Sequence, residues 1–112
     1  MVIVADTSPI NYLVLIDQIG LLPRLYARVL IPPAVFDELT HPAAPSPVRD
    51  WTERHPSWLE VMSPKNTIAL AQLDLGESQA IALAGELGAG VVLIDELAVF
   101  RFSVKRSGSA LG

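Results

Sequence analysis

Four carboxylates stand where metal or phosphate chemistry would need them. The apolar run VIVA, at 2–5, ends directly on Asp6, and a second run, VVLI at 91–94, ends directly on Asp95. Strands of this type are poor places for a charge without a partner. Glu38 lies one or two helical turns beyond a third apolar run at 29–31. Glu77 falls in the first turn of a helix predicted over 75–87. If the runs are parallel strands of one sheet, Asp6 and Asp95 emerge at the same edge, where open α/β sheets bind ligands, and the two acidic helices can start at that edge. Crowded carboxylates repel one another, and the usual remedies are a shared proton or a bound cation. With no cysteine and only His41 and His55 as imidazoles, oxygen ligands predominate and favour Mg²⁺ or Mn²⁺. Such an ion activates water and offsets charge on a phosphodiester, which is the logic of metal-assisted phosphoryl hydrolysis.

Each acid also has a plainer reading. Asp74 and Glu77, in D-L-G-E, fit a helix cap with a returning glutamate. Asp6 fits a cap for a helix at Pro9, and Glu38 a solvated acid on a helix surface. His41 and His55 each adjoin a proline in loop-like sequence and receive no role. Trp51 and Trp58 are expected to pin a helix and an edge strand to the core, since neither lies in a basic stretch where a base would stack.

The elements that must position these acids alternate in type. After the strand at 2–5, Asp6-Thr7-Ser8-Pro9 supplies capping residues and a first-turn proline. The helix that follows should turn Ile10, Leu13, Val14 and Ile16 toward the core and stop near Gly20, with a further helical piece at 21–26. The strand at 29–31 runs into Pro32-Pro33 and a short helix over 34–40. The proline-rich run at 41–47 predicts a loop, followed by a helix over 48–55 and an edge strand over 58–62. The helix at 75–87 carries Ala80, Ile81, Leu83, Ala84 and Leu87 at helical spacing, with Gly88 and Gly90 as stop signals. Strands alternating with helices imply an α/β fold, a mostly parallel central sheet covered on both faces.

Composition bounds the rest. The 112 residues predict a single domain over 1–112. Apolar residues make up 51% and charged residues 18% of the chain, far from a disordered composition. Asp6, Asp17, Asp37, Asp74 and Asp95 interrupt the apolar stretches before any could span a bilayer, and the N-terminal residues do not read as a signal peptide. A cytoplasmic protein with no membrane contact is expected. A net charge of −4 argues against nonspecific coating of nucleic acid. It leaves room for a nuclease whose acids are offset by cations, with Arg101, Lys105 and Arg106 grouped near the C-terminus. A receiver-like signalling domain also places acids at strand ends, but it needs a lysine after a late strand, where this chain offers only Lys65 and Lys105.

Three segments, MVIVADTSPINYL, VLIPPAVFDELTH and LDLGESQAIALAGELGAGVVLIDE, resemble the PIN-domain proteins, particularly their VapC-like branch of toxins in toxin–antitoxin pairs. The resemblance implies a three-layer α/β/α fold and a Mg²⁺- or Mn²⁺-dependent endoribonuclease. It implies that Asp6, Glu38, Glu77 and Asp95 hold the metal and carry catalysis, with Thr7 and Ser8 supporting the site and Asp74 a supporting or alternative ligand. It further implies an RNA substrate, a protein antitoxin and a homodimer. After Glu96 the chain reads LAVFRFSVKRSGSALG, whereas relatives continue with a basic helical stretch, a further strand and more helix. The C-terminal part of the fold is therefore expected to be incomplete. The alternative reading is a truncated, catalytically weak or inactive PIN domain that acts only as a binding partner.

Overall fold

A computed structural model describes residues 2–65, 74–88, 91–95 and 98–101; at 91, 93–95 and 98–101 it describes the backbone alone. Strands β1 (Val2–Ala5), β2 (Arg28–Ile31), β3 (Leu59–Val61), β4 (Val91–Asp95) and β5 (Ala98–Arg101) form one sheet in the order β3-β2-β1-β4-β5. The first four are parallel to one another, and β5 runs antiparallel to β4. The helices are α1 (Thr7–Leu15), α2 (Leu21–Leu25), α3 (Pro33–Leu39), α4 (Ser46–Glu53) and α5 (Leu75–Leu87).

Alternation along the strands divides the core in two, because successive side chains of a strand point to opposite faces. Ile3, Ala5, Val29, Ile31 and Leu59 pack on one face with Ile10 of α1, Leu22 of α2, Val35 and Leu39 of α3 and Val48 of α4. Val4, Leu30 and Val92 pack on the other face with Ala80, Leu83 and Ala84 of α5. This is the three-layer α/β/α arrangement expected from the sequence. Fully burying each Leu, Ile or Val contributes roughly 1.5–3 kcal/mol, so the short strands are held by their two covered faces.

The topology fixes where a ligand belongs. From β1 the chain moves outward through β2 to β3, then returns so that β4 lies on the opposite side of β1. Strand order therefore reverses between β1 and β4, and the crevice of an open α/β sheet forms beyond the carboxyl ends of the strands at such a point. Ala5 is in register with Leu93, so Asp6 and Asp95 leave the sheet at the two sides of that crevice.

Two local details differ from the sequence expectation. Helix α1 ends at Leu15, not near Gly20, and Ile16 is 44% exposed instead of core-facing. Its terminus is a Schellman motif: the Asp17 amide donates to Val14 O at 3.0 Å and the Gln18 amide to Leu13 O at 2.8 Å. Asp17 takes the left-handed position, φ 58°, that glycine usually fills; aspartate is one of the few other residues that visits it, as a single residue. Helix α4 starts at Ser46, two residues before the expected start, since a proline is tolerated in the first turn, where its missing N–H costs nothing. Gly88, with φ 62°, closes α5 in the left-handed conformation. Gly90 lies outside the described residues. Trp51 and Trp58 pack on each other, ring centroids 5.7 Å apart, against the core beneath α4 and β3.

Beyond Glu96 the chain adds β5 at the β4 edge; Lys105 and Arg106 lie outside the described residues, as does the side chain of Arg101. Among the described residues no helix is long and apolar enough to cross a membrane.

Candidate metal centre

Asp6 occupies the junction of β1 and α1. Its backbone is extended, φ −88° and ψ −179°, and its Oδ1 accepts the Thr7 amide at 2.7 Å, so it is the N-cap of α1 as the plainer reading held. The residue is also 5% exposed, and its carboxyl group faces other acids. Burial pushes it up to about 7 from an ordinary 3.8, against the Thr7 amide bond, and Asp74, Glu77 and Glu38 add to the rise by repulsion.

Asp74 caps α5 by accepting the Glu77 amide at 2.8 Å. The reciprocal bond of a capping box, from the Asp74 amide to the Glu77 carboxylate, is not made among the described residues, which leaves that carboxylate for the cluster. One oxygen each from Asp6, Asp74 and Glu77 lie within 4.8 Å of one another. Asp74 thus joins Asp6 and Glu77 in the cluster.

Glu38 reaches the same place from α3. It is exposed by area, as a surface acid would be, yet its Oε1 accepts the Thr7 hydroxyl. A Cβ placed on Gly76 would stand 3.0 Å from Asp6 Oδ1 and 3.3 Å from both Glu38 oxygens. The two carboxylates therefore converge over the first turn of α5, where a side chain larger than hydrogen would crowd them. The α3 and α5 helices are tied at this level by the Ala34 amide, which donates to Gln79 Oε1 at 3.0 Å.

Gly76 had no role in the sequence reading. The one local signal was a glycine between two acids in the first turn of α5, since glycine serves where a side chain would block a close approach. Asp95 is the last residue of β4, one position beyond the residue level with Asp6; its side chain lies outside the described residues. Ser8 is exposed in the first turn of α1. His41 accepts the Ala43 amide at Nδ1, and His55 meets Leu59 O at 3.1 Å and the Phe36 ring. Neither imidazole joins the acid cluster.

The donor set fits a hard divalent cation. Every described ligand atom is a carboxylate oxygen, and among the described residues the one salt bridge, Arg28 with Glu60, lies elsewhere on β2 and β3. No described cation offsets the acids. One oxygen from each of Asp6, Asp74 and Glu77 would be available to hold such an ion.

A family model described as PIN domain matches residues 2–107, running past Glu96 into the tail that carries β5. No curated protein and no solved structure matches the chain. The match spans the strand ends, both acidic helices and the crevice between them, and the chain belongs to the PIN-domain family.

Proposed function

We propose that this PIN domain is a Mg²⁺- or Mn²⁺-dependent endoribonuclease, with Asp6, Glu38, Glu77 and Asp95 as metal-holding and catalytic residues and Asp74 as a further ligand. The observation that carries the reading is the convergence of Asp6, Asp74 and Glu77, with Glu38 alongside, around Gly76. PIN domains as a class are nucleases, and family membership supports hydrolysis of a phosphodiester.

When bound, a divalent ion supplies Lewis acidity, activating water and offsetting charge that builds on the phosphate. The chain's residues prepare the place for it. The Thr7 amide fixes one Asp6 oxygen and the Thr7 hydroxyl orients Glu38, so a single residue aligns two ligands. Capping by Asp74 fixes the first turn of α5 and with it Glu77. The Ala34–Gln79 bond holds the two acidic helices in step. Partners such as an antitoxin and a second copy of the chain, the toxin role and action in the cytoplasm follow from the VapC-like resemblance, and the same reading makes RNA the substrate. The test is cleavage of single-stranded RNA by the purified chain: cleavage with Mn²⁺ that EDTA stops supports the reading, and none with Mn²⁺ or Mg²⁺ favours a domain that only binds.

Gly76→Ala probes the crowding directly. The added methyl group forces Asp6 and Glu38 to give by a few tenths of an ångström. Positioning errors at metal ligands cost about 10–100-fold in affinity, and a loss of that size is expected for Mn²⁺ by calorimetry. Stability should change by less than about 1 kcal/mol, since the helix gains from losing glycine what the crowding takes away. Unchanged Mn²⁺ affinity would show that these carboxylates do not hold the ion.

A further inference from the structure

A cavity of about 410 Å³ opens beside the acid cluster, walled by Thr7 and Asn11 of α1, Glu38 of α3, and the loop carrying His41, Ala44 and Pro45. Its volume falls within the roughly 300–1,000 Å³ of small-molecule sites. Thr7 and Glu38 belong to both spaces, so whatever fills the cavity adjoins a group held at the metal centre. We propose that it is a nucleoside subsite, taking the ribose and base of the nucleotide next to the scissile phosphate, with Asn11 reading the base edge and His41 donating a hydrogen bond. The proposal rests on the nuclease reading above.

The wall chemistry selects the neutral part of a nucleotide. Asp37 and Glu38 line it and no described lysine or arginine does, so a phosphate is repelled toward the metal centre. Ala44 and Pro45 offer an apolar wall for a flat base. Asn11 is half-buried and makes no hydrogen bond to any described residue, which leaves its two donors and one acceptor for a ligand. Unstacked bases of single-stranded RNA present matching edges. His41 is held by its own loop: because Nδ1 accepts the Ala43 amide at 2.9 Å, the neutral ring carries its proton on Nε2, a donor in a wall whose acids, Asp37 and Glu38, can only accept.

The experiment titrates the four ribonucleoside 5′-monophosphates, with Mg²⁺ present, into ¹⁵N-labelled protein followed by NMR. The Asn11 side-chain amide and the Ala43 and Ala44 amides should shift, with one base bound at least about threefold more tightly than the others. Asn11→Ala should weaken that nucleotide about tenfold, the cost of one lost hydrogen bond. His41→Ala, in an exposed loop, should weaken it as well without touching a helix. Shifts confined to the surroundings of Asp6 and Gly76, or affinity unchanged from the parent in both variants, would overturn the subsite. Nucleotide binding at Asn11 in a chain that cuts no RNA with Mn²⁺ would uphold the subsite while sinking the nuclease reading.

Discussion

Asp6→Asn is expected to lower metal-dependent RNA cleavage by more than about a hundredfold while leaving the protein folded. Outer partners of metal ligands already cost 10–100-fold when removed, and Asp6 lies at the centre of the cluster, against Asp74, Glu77 and Glu38. The substitution keeps an oxygen for the Thr7 amide, so the cap of α1 survives. It removes the buried charge that burial and three neighbouring acids disfavour. The variant should therefore be at least as stable as the parent without metal at neutral pH and above, a pattern in which activity and stability pull apart. Paired measurements of cleavage with Mn²⁺ and of the urea midpoint separate the two effects. Cleavage within a few-fold of the parent would remove Asp6 from the mechanism.

The second large effect is the joint dependence of stability on pH and metal. In the folded protein the Asp6 carboxyl titrates near 7, against 3.8 for the ordinary group. Between those values the unfolded chain has released a proton that the folded chain still holds. Metal-free stability should thus fall as pH rises from about 4 to about 7, by no more than about 4 kcal/mol, and level off above. A cation competes with that proton, so Mn²⁺ should raise the melting temperature increasingly across the same window. Asp6→Asn should flatten the metal-free slope and blunt the response to Mn²⁺. A Mn²⁺ response equal in the variant and the parent would place the ion elsewhere.

Much of this arrangement was legible in the residues. The runs that end on Asp6 and Asp95 read as strands because they are short, apolar and β-branched, and the structure makes them adjacent parallel strands, β1 and β4. The α5 helix begins and ends as its pattern predicted, between an aspartate cap and a left-handed glycine. What escaped the reading was set by geometry between distant elements. That Asp74 and Glu77 both come within reach of Asp6, and that Gly76 is the floor on which Asp6 and Glu38 meet, follows from how α5 approaches β1 and α3, which no local pattern encodes. The early stop of α1 has another cause: Asp17 takes the left-handed position expected of Gly20. Helical spacing alone carried Ile16 one position too far toward the core.

The metal centre is tested most directly by anomalous scattering from crystals grown or soaked with Mn²⁺. The arrangement predicts an anomalous peak bounded by the carboxylates of Asp6, Glu38, Asp74 and Glu77 above Gly76, lost in crystals of Asp6→Asn. Manganese bound only elsewhere on the molecule, or a peak that persists undiminished in the variant, would contradict it.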